Sequence, residues 1–233
     1  MPSKKYYCQQ SKFIETKNRI DFILSAVILI AAFPLMLLIT FLLMVILKSF
    51  PLIIQKRGMT KDNQVFNIYK FRTIKVNSYQ EINSENILFK PDLSQYVPAF
   101  CKWLRKTGLD ELPQIFNVLK GEMSLIGPRP LSINDLEALK NKYPQYYHDR
   151  NLITIKPGIT GMWQVFGNRN KGIENLIALD LYYYERTSFT IDLRILLRTI
   201  LLVLTGRHSD AIFPRMPNKE LKTLNNAHSF SNF

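Results

Sequence analysis

The chain has 233 residues, which fits one domain of ordinary size with an appendage and excludes two large ones. Hydrophobic residues make up 47% of it, too many for a disordered basic tail, and 31 basic against 18 acidic residues leave a net charge of +13. That charge calls for an anionic partner without choosing among nucleic acid, anionic lipid and phosphorylated small molecules.

Residues 23–47 form a run of 25 positions without a charge, against the roughly 20 that span a bilayer as a helix. The run is too long for the apolar part of a cleavable signal peptide, so it is expected to remain as a membrane segment. Both flanks are basic: Lys4, Lys5, Lys12, Lys17 and Arg19 precede it, and Lys48, Lys56, Arg57, Lys61, Lys70, Arg72 and Lys75 follow. The positive-inside tendency holds both flanks on one side, which a single straight span cannot do. Pro34 lies mid-run, where a missing donor and a ring clash interrupt a helix. Residues 1–47 are therefore expected to form a tail and a re-entrant helix-break-helix anchor, with a Pro-kinked transmembrane helix as the alternative.

Residues 48–206 are expected to form an α+β, mostly helical cytoplasmic catalytic domain. Residues 65–73 alternate apolar and polar, the pattern of a strand, placing Lys70 and Arg72 on one face. Residues 76–98 are polar and aperiodic, an irregular connection. Helices are predicted at 99–105, 111–119, 134–142 and 173–186. Residues 191–204 are apolar but too short to span a bilayer, which leaves a membrane-surface helix or a buried one. Residues 207–233 read as a loosely ordered tail.

Cys8 and Cys101 stand far apart, and His148, His208 and His228 are scattered, so no disulfide framework or zinc site is indicated. Gly158, Gly161, Gly167 and Gly172 do not have the spacing of a glycine-rich nucleotide cradle. The densest chemistry lies in residues 104–131, LRKTGLDELPQIFNVLKGEMSLIGPRPL. Asp110 and Glu111 open a predicted helix with Pro113 in its first turn, where acids serve as caps. Beside Arg105, Lys106 and Arg129 the same pair suits a magnesium and phosphate site, since magnesium prefers one or two carboxylates plus substrate phosphates. In Gly127-Pro128-Arg129-Pro130 each proline fixes its own φ and keeps its predecessor out of helix. Arg129 is thus held extended, suited either to phosphate capture or to a rigid turn. Lys156-Pro157-Gly158 has the residues of a type II turn and leads into a loop with Trp163 and Arg169.

These blocks, with QKRGMTKDNQVFNIYKFRT, KPGITGMWQVFGN, DLYYYERTSFTIDLRILLRT and the proline-centred membrane run, resemble the bacterial sugar transferases. These are monotopic phosphoglycosyl transferases acting on polyprenyl phosphate, and the likeness is to their compact form. The resemblance implies transfer of a sugar 1-phosphate from a nucleoside diphosphate sugar, commonly UDP-linked, to undecaprenyl phosphate, with release of UMP. It implies Asp110 as nucleophile, Glu111 as its partner, Mg2+ held by both, and Arg105, Arg129 and Arg169 at the phosphates. Lys56, Arg57, Lys70 and Arg72 are expected at anionic headgroups on the cytoplasmic face of a bacterial inner membrane. The first membrane step of glycoconjugate synthesis is the implied setting.

Three positions depart from the family pattern: Phe33 stands where Ser usually precedes the proline, Asn168-Arg169 reverses the usual Arg-Asn, and Lys17-Asn18-Arg19-Ile20-Asp21 alters a Lys-Arg pair. The last is expected not to affect catalysis. Two rival readings stand beside the resemblance. One is a membrane-tethered nucleic-acid binder, suggested by the basic and aromatic FNIYKFRT; the other is an inactive scaffold of the same fold.

Overall fold

The computed structural model describes residues 4–59, 61, 64–75 and 97–206, and for 4–11 and 169 only the backbone. Residues 207–233 and most of 76–98, expected as a loose tail and an irregular connection, lie outside the described residues.

Helix α1 (Lys4–Leu47) runs without interruption through Pro34. The break expected at that proline is absent. A proline forfeits one backbone bond, whereas the helix face on either side of it is held by packing on the rest of the chain. Lys17, Asp21 and Ser25 before Pro34, and Met36, Ile39, Leu43 and Leu47 after it, are all buried. Their spacing of three, four and seven keeps them on one stripe. The other faces carry exposed Phe22, Ile23, Val27, Ile30, Phe41 and Val45. Among the described residues α1 is the one helix long and apolar enough to cross a membrane.

Strands β1 (Leu52–Gly58) and β2 (Val65–Phe71) form an antiparallel hairpin. Strand β2 was legible from its alternation, two residues longer than observed. Helix α2 (Ala99–Thr107) ends at Gly108, whose φ of 75° is accessible to glycine at little cost. The helix predicted at 111–119 is divided into a 3₁₀ turn (Leu109–Gln114) and a short α3 (Ile115–Leu119). Pro113 lies inside the 3₁₀ turn, where it cannot donate a helical bond.

Strand β3 (Ser124–Ile126) pairs in parallel with β5 (Gly158–Thr160), while β4 (Leu131–Ser132) joins the free edge of β1. Ser132 caps α4 (Ile133–Lys142) in a reciprocal box with Asp135. Helices α5 (Pro144–Arg150), α6 (Met162–Phe166), α7 (Gly172–Glu185) and α8 (Phe189–Thr205) complete the chain. The result is α+β and mostly helical, as expected.

Trp163 of α6 is buried with Leu131, Leu139, Ile173, Leu176 and Ile177, so α4, α6 and α7 close on one cluster. Each such side chain contributes on the order of 1.5–3 kcal/mol by leaving water. A second cluster joins Met36, Ile39, Leu43 and Leu47 of α1 to Phe71, Cys101 and Leu104. In α8 only Asp192 and Ile195 are buried, while Leu193, Leu197, Ile200, Leu201 and Leu204 are exposed. Of the two alternatives for this helix, the buried one is excluded.

Candidate active site

A small open cleft is walled by Arg57, Lys70, Glu111, Gln114, Arg129 and Gln164, among others. The hairpin supplies two of these for a geometric reason. Residue 57 faces 66 and residue 53 faces 70 in the register, so Arg57 and Lys70 project from the same face and Lys56 from the opposite one. Lys56 is exposed, and Arg72 donates from Nε to the Phe50 carbonyl at 3.0 Å.

Lys70 is buried, and its ammonium donates to Glu111 Oε1. The ammonium expected at lipid headgroups is thus paired with a carboxylate of the cleft. The burial of Lys70 also weakens the nucleic-acid reading: within FNIYKFRT, Ile68, Lys70 and Phe71 face inward, so no stripe of alternating basic and aromatic side chains is presented to a nucleic acid.

Asp110 and Glu111 are both buried at the start of the 3₁₀ turn. The Glu111 amide bonds the Gly108 carbonyl at 3.0 Å, so the left-handed glycine sets the direction in which the two carboxylates leave the chain. Burial pushes the Cys101 thiol up to about 11, with Arg105 pulling it down and Asp110 pushing it up. Arg105 and Asp110 thus both act on this thiol, which stays protonated at neutral pH. Among the described residues no three His, Cys, Asp or Glu side chains cluster as metal ligands. The oxygens of Asp110 and Glu111 do fit a hard cation that completes its shell with water and phosphate.

Arg129 reaches the cleft from a loop pinned on both sides. Its amide donates to Asp180 Oδ1 at 3.4 Å, and its carbonyl accepts from Arg150 Nη2. Arg150 and Asp180 are themselves paired at 2.9 Å, both fully inside. Three glycines bring the loop against β5 and α6. A Cβ on Gly158 would lie 2.1 Å from the Gly127 nitrogen, and one on Gly161 would lie 2.0 Å from the Gly127 oxygen. Gly158 does not have a positive φ, so the predicted type II turn is not formed. That position excludes a side chain because two backbones meet there.

The structure thus brings Glu111, Lys70, Arg57 and Arg129 to one cleft, with the buried Asp110 next to Glu111 in the chain, and sets Lys56 and Arg72 apart from it. Arg169 begins a 3₁₀ turn (Arg169–Lys171), and its side chain lies outside the described residues. Gln114, Gln164, Arg150 and Asp180 were missed. The two glutamines stood inside recognised blocks but carry no charge to draw notice, and nothing in a sequence marks an arginine that will be wholly buried.

A second polar cluster was also missed. Lys17 lies 2.8 Å from Asp192 and 3.2 Å from Asp21, Asp21 accepts from Ser124, and the Tyr183 hydroxyl donates to Asp192 at 2.7 Å. This network joins α1 to β3, α7 and α8.

The chain is 34% identical over 208 residues to the undecaprenyl-phosphate galactose phosphotransferase of Salmonella typhimurium, covering 84% of this chain and 41% of that protein. It is 36% identical over 187 residues to the UDP-N-acetylgalactosamine-undecaprenyl-phosphate N-acetylgalactosaminephosphotransferase of Aeromonas hydrophila, covering 79% and 43%. The chain spans less than half the length of both. Against the exopolysaccharide production protein ExoY of Sinorhizobium fredii it is 30% identical over 208 residues, covering 83% of this chain and 88% of that one. The Bacterial sugar transferase family model matches residues 11–206, and the chain belongs to that family.

Proposed function

We propose that this chain moves a sugar 1-phosphate from a UDP-sugar to undecaprenyl phosphate, giving undecaprenyl-diphosphate sugar and UMP. The observation that carries the reading is the cleft itself: two cations, Arg57 and Arg129, line it together with Glu111, and the buried Asp110 is the residue next to Glu111 in the chain. The relatives' names supply the acceptor and the class of donor.

A carboxylate oxygen of Asp110 attacks the β-phosphorus of the donor. The bond from that phosphorus to the bridging oxygen breaks, and UMP leaves with the electron pair. A phosphate oxygen of the lipid then attacks the same phosphorus, breaks the aspartyl-phosphate bond and restores the carboxylate. Arg105 and Arg129 offset charge on the phosphoryl oxygens, and Lys70 fixes Glu111 beside the nucleophile. Asp110 and Glu111 would hold Mg2+, which would supply charge neutralisation at the diphosphate.

The acceptor's phosphate sits at a bilayer surface, so the cleft must work there. Helix α1 packs on the domain just before its apolar run, through Lys17 and Asp21, and along the second half of that run, through Met36, Ile39, Leu43 and Leu47. A straight span would drag the domain through the hydrocarbon, which supports attachment to one face, the cytoplasmic face of a bacterial inner membrane. The exposed apolar faces of α1 and α8 are the surfaces for it. In sealed vesicles of a Cys8→Ser background, Lys12→Cys and Lys48→Cys are expected to label from the same side. Opposite-side labelling overturns the one-face arrangement.

The test of the reaction is UMP release from UDP-galactose, UDP-glucose and UDP-N-acetylgalactosamine with undecaprenyl phosphate and Mg2+. Release is expected with at least one donor and is expected to vanish in Asp110→Asn. Donor-dependent release that survives Asp110→Asn overturns the covalent route, and silence across the panel overturns the activity.

A further inference from the structure

Strand β2 is the outer strand of its three-stranded sheet, pairing with β1 on one side only. An edge of this kind leaves backbone N–H and C=O groups in need of partners. Asn117 of α3, fully buried, supplies them at the one place that matters for the cleft. Its Oδ1 accepts from the Tyr69 amide at 3.2 Å, and its Nδ2 donates to the Asn67 carbonyl at 2.6 Å and to Glu122 Oε2 at 2.7 Å. Alternate residues of a strand turn their backbone groups to the same edge, so the carboxamide replaces one rung of a ladder. Both amide hydrogens and the oxygen are used, which fixes the orientation of the group.

Lys70 follows Tyr69 on β2, and its ammonium donates to Glu111. Glu111 and Asn117 lie on one stretch of chain, because the 3₁₀ turn (Leu109–Gln114) runs directly into α3. The same two segments are therefore joined twice: by the ion pair lining the cleft, and by Asn117 at the residues one and three positions earlier on the strand. A lysine stem is flexible, so the ion pair alone tolerates sliding of the segments that carry it. Hydrogen bonds from a buried amide to the strand backbone are directional and do not. Resting on the proposed function, we propose that Asn117 is a positioning residue for the transfer, holding β2 against α3 so that Lys70 meets Glu111 in the geometry the reaction uses. Asn117 has a second task from which this one must be separated: its carbonyl accepts from the Glu122 and Met123 amides, closing the turn that leads to β3.

The test follows UMP release by the whole chain as kcat and donor KM, with melting measured alongside, in the wild type, Asn117→Ala, Glu122→Ala, Lys70→Met and the Asn117→Ala/Lys70→Met double variant. Well below its melting temperature, Asn117→Ala is expected to lower kcat at least about tenfold with donor KM within about twofold, the signature of misplaced chemistry and not of lost binding. Glu122→Ala removes the bond to an exposed side chain and leaves the strand contacts, and kcat is expected to stay within about twofold. In the double variant there is no ammonium left to position, so Asn117→Ala is expected to cost less than about twofold beyond Lys70→Met.

A folded Asn117→Ala with kcat within about twofold of the wild type overturns the assignment, as does a loss carried by KM alone. An equal proportional loss with and without Lys70 also overturns it, and so does an equal loss in Glu122→Ala, which marks support of the turn. Should Asn117→Ala not fold, Asn117→Asp in the Glu122→Ala background carries the same comparisons. That variant keeps the side-chain volume and the acceptor for Tyr69, loses the donor to Asn67 and lacks the neighbouring carboxylate. A wild type that releases no UMP from any of the three donors overturns the proposed function, and this inference with it. Normal wild-type turnover with an indifferent Asn117→Ala overturns this inference alone.

Discussion

Arg150 and Asp180, thirty positions apart, meet at 2.9 Å with neither side chain reachable by solvent, and together they hold the backbone N–H and C=O of Arg129. The proline pair limits the backbone freedom of Arg129, but prolines do not attach a loop to a domain. The buried pair does, with Asp180 taking the amide and Arg150 the carbonyl.

Breaking that pair from one side leaves a buried charge without its partner. Asp180→Asn or Arg150→Met is expected to lower stability by about 3–5 kcal/mol. The double variant is expected to be less destabilised than the sum of the two, a coupling of at least ~1 kcal/mol in chemical denaturation. Strict additivity sinks the idea that the two residues act as one fastening. Because Arg129 moves with the loop, UMP release is expected to fall in each single variant even at temperatures where the protein remains folded.

Lys70 separates two accounts of the same residue. If it orients Glu111 beside the nucleophile, Lys70→Met is expected to lower kcat by about a hundredfold, the order seen when one preorganised electrostatic partner is removed. Binding to anionic vesicles is then unchanged. If instead Lys70 serves a lipid headgroup, vesicle binding weakens and kcat at saturating lipid survives. Measuring turnover and vesicle sedimentation on the same preparation decides between them.

Much of this site was legible because its chemistry is local in sequence. Asp110 and Glu111 are adjacent, and Pro128 and Pro130 flank Arg129, so motif and geometry coincide. Helices α4 and α7 were legible because each buries one periodic face. What sequence could not convey were contacts between distant segments. Strand β1 looked like a basic stretch after the membrane run until pairing with β2 turned Arg57 toward the cleft and Lys56 away. Gly158 carried the pattern of a turn, yet its lack of a side chain answers to Gly127, far from it in sequence. Pro34 was read by its local effect alone, whereas the packing of α1 along the domain is a tertiary property that overrides it.

The departure at Lys17 and Asp21, expected only not to affect catalysis, shows another contact between distant segments. Lys17 is the one cation in a buried group that also contains Asp21, Asp192, Ser124 and Tyr183. Burial holds the Asp192 carboxyl above the usual range, Lys17 and the Tyr183 hydroxyl pull it down, and Asp21 pushes it up. In Lys17→Met the main opposing charge is gone, and the folded-state value of Asp192 rises further above the unfolded value of about 3.9. A raised carboxyl favours the folded state only below its unfolded value, and that contribution is lost as the pH climbs through the folded value. Lys17→Met is therefore expected to lose about 3–5 kcal/mol near neutrality, with a smaller deficit against the wild type near pH 5. Urea denaturation of both proteins across that range measures it. A deficit that stays constant with pH would show that Lys17 holds α1 by packing alone, with no part played by its charge.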